Sequence, residues 1–162
     1  MSAIERVREA LRPFGLEERV IEFAVSTATV ELAAAALGCE PGRIAKTLSF
    51  MAGERPVLVV AAGDRRVDNR KFKDRFAAKA KMMTADELFA LTGLRFGGVC
   101  PFGLPDTVEL YLDESLKAWD PVYPAAGTEN SAVRLSLAEL EQTAAPRGWV
   151  DVCKAKETTT AQ

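Results

Sequence analysis

Histidine is absent from all 162 residues. That absence excludes Ser-His-Asp and Cys-His catalysis, histidine-ligated zinc and the usual general base near neutral pH. An enzyme built from this chain works with lysine, carboxylates, hydroxyls, a thiol, backbone amides or a group on its substrate. Cysteine is scarce as well. Cys39, Cys100 and Cys153 are odd in number, far apart and form no CxxC pair, which fits reduced thiols in a reducing compartment. No apolar run approaches the ~20 residues that span a bilayer, and the stretch Met1 to Arg12 is charged, unlike a signal peptide. The expectation is a cytoplasmic protein with no membrane partner. An excess of either charge is also missing, with 21 basic against 23 acidic side chains.

What is present suffices for one globular domain with a real core, since 48% of the residues are apolar. Ile4, Val7, Ala10 and Leu11 recur at helical spacing, and Pro13 and Gly15 end that segment. Thr29 reads as the N-cap of an alanine-rich helix that stops at Gly38. After Pro41-Gly42, Ile44, Lys46, Leu48 and Phe50 alternate with Ala45, Thr47 and Ser49, the period of a strand whose first set faces the core. Val57 to Ala62 is apolar throughout and reads as a central strand. Capping boxes at Thr84 to Glu87 and Ser136 to Glu139 open two later helices, and Thr107 to Leu112, Ala132 to Leu135 and Trp149 to Val152 read as strands. Residues 153–162 read as a frayed tail. Helices and strands mix without strict alternation, so the expected class is α+β around a mixed or antiparallel sheet.

Four features carry candidate chemistry. Gly97-Gly98-Val99-Cys100-Pro101-Phe102-Gly103-Leu104 packs three glycines, a proline and a cysteine into eight residues. It is either a tight connection between strands or a shaped loop whose N–H groups point into a cavity. Lys46 sits in phase with Ile44, Leu48 and Phe50. It either snorkels from a strand edge or holds its ammonium in a cavity, where it would stabilise negative charge or bind a phosphate. Cys100 is either a nucleophile, with no base identifiable in the sequence, or a small wall residue. The basic run of Arg65, Arg66, Arg70, Lys71, Lys73, Arg75, Lys79 and Lys81 is diluted only by Asp68 and Asp74. Such a run is a solvated helix face or an RNA-facing patch of salt-dependent affinity.

The segment Gly38 to Leu48, carrying Lys46, resembles the lysine-bearing segment of the YbaK/prolyl-tRNA-synthetase-associated editing domains. Gly97 to Pro101 is similar to that family's GxxxP loop, and Ala125-Ala126-Gly127 with Ala132 to Leu140 resembles its C-terminal part. The likeness runs from about Val25 to Thr143. It implies a single domain with a mixed, partly barrel-like β-sheet surrounded by helices, and no metal or other cofactor. It also implies a deacylase acting in trans on mischarged aminoacyl-tRNA, most often tRNA(Pro), with help from the substrate's 2′-hydroxyl rather than a protein base. By the same resemblance, Lys46 would contact the terminal phosphate or the reacting ester. Gly97 and Pro101, with the amides of Gly98 and Val99, would hold the ester carbonyl. Cys100, Phe102 and Gly103 would line or back the aminoacyl pocket, and Gly127 would shape its far wall. Val99, Cys100 and Phe102 suggest a small site suited to alanine or 2-aminobutyrate, while relatives on the same frame clear cysteine, serine or threonine. Arg65, Arg66, Arg70, Lys71 and Lys73 would bind tRNA, and tRNA identity would come from prolyl-tRNA synthetase or an elongation factor. No DNA partner is implied. The competing class is a non-catalytic module that binds an aminoacyl, nucleotide or RNA ligand on the same fold.

Overall fold

The computed structural model describes residues 1–156. Helix α1 (Ala3–Leu11) is capped by Ser2, whose hydroxyl accepts from the Glu5 amide. A 3-10 turn over Glu17–Arg19 leads into β1 (Val20–Glu22). Helix α2 (Val30–Leu37) starts at Thr29, whose side chain accepts from Leu32 N, and ends at Gly38 in the left-handed region. Strands β2 (Ile44–Ala52) and β3 (Arg55–Ala62) form an antiparallel hairpin. Then come β4 (Arg65–Val67), α3 (Asn69–Phe76), β5 (Lys81–Met82) and α4 (Ala85–Thr92). The second half supplies β6 (Glu109–Asp113), β7 (Tyr123–Pro124), β8 (Ser131–Val133), α5 (Leu137–Ala144), β9 (Gly148–Val150) and β10 (Cys153–Ala155). Both expected capping boxes form, at Thr84 with Glu87 and at Ser136 with Glu139.

The main sheet runs β5-β2-β3-β6-β9, with β7 also on β2, and mixes antiparallel with parallel pairs. Its central strand is β3, as the unbroken apolar run implies, and Val57 to Ala62 are fully buried. The alternation along β3 serves two layers. Leu58 and Val60 join Leu110, Leu112, Val7, Leu11, Leu88 and Leu140 on the face covered by α1, α4 and α5. Val57, Val59 and Ala61 face the other way, toward α3. There Phe72 packs at 4.8 Å from Phe50 and 4.7 Å from Phe76, which meets Tyr111 at 5.1 Å. Phe72 and Phe76 therefore anchor the basic helix, each contributing about 1.5–3 kcal/mol by burial.

The C-terminal stretch departs from the expected frayed tail. Cys153–Ala155 pairs antiparallel with β4, Cys153 opposite Val67 and Ala155 opposite Arg65. A three-residue strand with two exposed members has no hydrophobic period to betray it, and its partner lies far upstream in sequence. The rest of that reading, residues 157–162, lies outside the described residues.

One topological detail positions everything that follows. The edge of β2 opposite β3 is covered by β7 at Ile44 and Ala45 and by β5 at Phe50 and Met51. Neither neighbour reaches Lys46, Thr47 and Leu48.

Candidate active site

A cavity of about 200 Å³ opens at that gap in the sheet edge. Its floor is β2 from Ile44 to Ser49, so both faces of the strand contribute. One wall is the N-terminal turn of α2 with Thr27 to Val30, and another is the loop at Phe96, Gly97 and Val99. The first-turn amides of α2 lack intrahelical acceptors, so this wall brings positive potential to the cavity. Gly97 adopts φ +89°, and a Cβ there would sit 3.1 Å from the Ala28 Cβ. Glycine is needed at this position both for the left-handed backbone and for the close approach of loop to helix.

Lys46 lines the cavity, and its ammonium donates to the Arg65 carbonyl at the start of β4. Burial pushes its pKa down to about 8, with the charge of Lys156 adding to the effect and Cys153, Glu31 and Asp64 opposing it. Lysine here is a cation at neutral pH that loses its proton far more easily than a solvated one. Its placement in an apolar strand is thus a cavity position at an open sheet edge.

The glycine-rich loop divides its residues. Val99 lines the cavity, whereas Gly98 is buried behind it with its amide donating to Arg95 O at 3.0 Å. Of the two amides the resemblance assigns to the ester carbonyl, that of Gly98 is already engaged in closing a turn. Pro101 and Gly103 lie on the far side of the loop, lining a separate cavity with Arg147 and Ala145. Gly127 packs against Gly98, so it supports the loop from behind.

Cys100 and Phe102 are buried in the main hydrophobic cluster rather than among the residues lining the cavity. Burial pushes the Cys100 thiol up to about 11. A thiol so protonated and enclosed is no nucleophile at neutral pH. Cys100→Ala is expected to keep deacylation within about threefold of wild type while lowering the melting temperature by a few degrees, the cost of a small cavity. Loss of turnover in a folded Cys100→Ala protein would restore the thiol to the mechanism.

The basic run also divides. Lys71 donates to Asp151 and to the Cys153 carbonyl, each at 3.1 Å, tying α3 to the C-terminal strand. Arg75 lies over the rings of Phe76 and Tyr111. Arg65 stands 3.6 Å from Asp64. Arg66, Arg70 and Lys73 are exposed.

The sequence pattern did not single out Thr27, Ala28, Thr47, Ser49 or Phe96. The set Ala45, Thr47 and Ser49 alternates with the expected core face and reads as the solvent side, yet Ser49 is only 2% exposed. A strand covered on both faces defeats a rule that assumes one wet face. The alanine-rich composition of α2 was the available signal for its close packing, and Ala33 does line the cavity.

Comparison with known proteins gives a consistent neighbourhood. A family model described as the aminoacyl-tRNA editing domain matches residues 24–143. YwhH of Bacillus subtilis is 44% identical over 153 residues, covering 94% of this chain and 98% of that one. EbsC of Enterococcus faecalis, whose name proposes a Cys-tRNA(Pro)/Cys-tRNA(Cys) deacylase, is 32% identical over 110 residues, 67% of each chain. A proline–tRNA ligase of Bacillus licheniformis is 35% identical over 94 residues, 57% of this chain but 16% of the ligase. A crystal structure described as a proposed trans-editing enzyme for prolyl tRNA synthetase superposes with TM-score 0.85 at 31% identity, covering 96% of this chain and 99% of that one.

Proposed function

The chain belongs to the aminoacyl-tRNA editing domain family, and from that premise we propose that it is a free-standing deacylase clearing mischarged tRNA(Pro). The observation that carries this reading is Lys46, a partly desolvated cation at a cavity walled by the glycine-rich loop and a helix N-terminus. The cavity, of about 200 Å³, is assigned to the aminoacyl group. The relation to a small part of a proline–tRNA ligase and to a named Cys-tRNA(Pro) deacylase supports tRNA(Pro) as carrier. Alanine, 2-aminobutyrate and cysteine are the small residues in question.

Hydrolysis requires water to add to the ester carbonyl and the bond from that carbon to the ribose oxygen to break, the leaving oxygen taking up a proton. Negative charge develops on the carbonyl oxygen on the way. We assign its stabilisation to Lys46 and the Val99 amide, with Gly97 keeping the loop close to α2 and Pro101 fixing the loop's shape. With no histidine in the chain, the substrate's 2′-hydroxyl is assigned the orientation of water. Release of a non-cognate amino acid from tRNA(Pro), lost in Lys46→Ala, is the direct test. Binding of the charged tRNA without release from any substrate would favour a binding module instead.

Docking of the tRNA is assigned to the exposed part of the basic run. Arg70→Glu with Lys73→Glu is expected to raise KM for tRNA about tenfold at low salt and to flatten the salt dependence by about two units of slope. Lys71 is left intact because its bonds to Asp151 and Cys153 hold the fold. An unchanged salt slope returns α3 to an ordinary solvated helix.

A further inference from the structure

Two buried side chains with hydroxyls line the cavity, and they differ in one respect. Thr27, 7% exposed, donates its hydroxyl to Glu129 O at 3.3 Å. Ser49, 2% exposed, has a hydroxyl with no hydrogen-bond partner. Strand alternation puts Ser49 on the face of β2 shared by Ala45 and Thr47, toward Val99 rather than toward Phe50 and α3. The Ser49 carbonyl is committed, accepting from Met83 N at 3.1 Å. A buried hydroxyl without a partner is destabilising, and a folded chain that keeps one inside a cavity keeps it against its own stability.

We propose that Ser49 reads the side chain of the aminoacyl group, selecting a short residue with a hydrogen-bonding atom on Cβ, serine or cysteine, over its apolar isosteres. The proposal rests on the deacylase reading of the same cavity and narrows its substrate. Size alone cannot make this distinction. Serine, cysteine and 2-aminobutyrate differ by hydroxyl, thiol or methyl at one position, and apolar walls separate such isosteres poorly. A hydroxyl with no other partner separates them well, because binding the methyl isostere leaves it unsatisfied in a drier site.

The experiment measures binding of hydrolysis-resistant adenosines bearing seryl, cysteinyl, alanyl or 2-aminobutyryl groups in 3′-amide linkage, alongside deacylation of the matching tRNA(Pro) esters. Wild type is expected to favour seryl or cysteinyl over 2-aminobutyryl by about tenfold or more, and Ser49→Ala to bring that ratio within about twofold. The arm that wins, seryl or cysteinyl, identifies the substrate. Ser49→Ala is also expected to melt about 2–4 °C higher, because an unsatisfied buried hydroxyl has been removed. Equal wild-type affinity for seryl, cysteinyl and 2-aminobutyryl analogues, or a ratio unmoved in Ser49→Ala, overturns the proposal. A lower melting temperature in Ser49→Ala overturns it too, since the hydroxyl would then serve the fold. Selective binding of the analogues without hydrolysis of any ester would sink the deacylase reading and leave Ser49's role standing.

Discussion

Lys46→Ala is expected to lower kcat/KM for deacylation by about 100-fold or more, the usual loss when a preorganised donor is removed from a developing oxyanion. The fold should survive the change, because burial of this ammonium opposes folding. Its folded pKa of about 8 lies below the 10.5 usual for a solvated lysine. Between those values the unfolded chain binds the proton and the folded chain does not, so the Lys46 contribution to stability rises with pH through that window. Below pH 8 its burial is a standing cost. Lys46→Met, which keeps the apolar stem's volume, should therefore melt no lower than wild type at pH 7 and lose the rise in stability between pH 8 and 10.5. The same titration sets the activity profile. If the cation is the working form, kcat corrected for hydroxide-driven ester loss falls as pH passes about 8. A profile still rising through pH 9 would assign catalysis to the neutral amine or to another group. Wild-type turnover in a folded Lys46→Ala protein would remove the lysine from the mechanism.

Gly98→Ala is expected to destabilise the chain and to lower turnover. A Cβ at Gly98 would lie 2.7 Å from the Gly127 carbonyl oxygen and 2.8 Å from both the Gly127 carbonyl carbon and Thr128 Cα. All three are backbone atoms, so no side chain can rotate away, and the loop must part from the Gly127 segment. Overpacking of this kind costs typically 1–3 kcal/mol. For a chain this size that is a fall of roughly 2–12 °C in melting temperature. The loop carries Val99 into the cavity wall, so kcat should fall with the stability, even at temperatures where the variant is fully folded. Gly148→Ala is the control: a Cβ there meets nothing within 4 Å, and the change should be neutral or slightly stabilising. Equal melting temperatures for the two variants would show that the loop yields freely and that the close packing against Gly127 is not a constraint.

Much of the fold was legible because it is locally determined. The caps at Thr29, Thr84 and Ser136, the stop at Gly38 and the strand from Ile44 to Phe50 are set over a few residues, and each forms as read. The tail was misread because Cys153–Ala155 owes its strand to Val67 and its neighbours, a pairing with no local period. The candidate site was half legible for the same reason. Lys46 stood out as a cation breaking an apolar phase, and the loop from Gly97 as a run of backbone freedom. Cys100 stood out equally as chemistry, yet it is sealed in the core.

The sequence by itself determined which chemistry is available: no imidazole, one in-phase lysine, one glycine-rich loop and a segregated basic run. Those are matters of composition and short-range spacing. Only the tertiary structure decided which groups meet. It leaves β2 uncovered between β7 and β5 and engages the Gly98 amide. It turns Ser49 inward without a partner and commits Lys71 to Asp151. Each of these depends on strands and loops brought together from distant parts of the chain, and burial and hydrogen-bond satisfaction are properties of that assembly rather than of any window of residues.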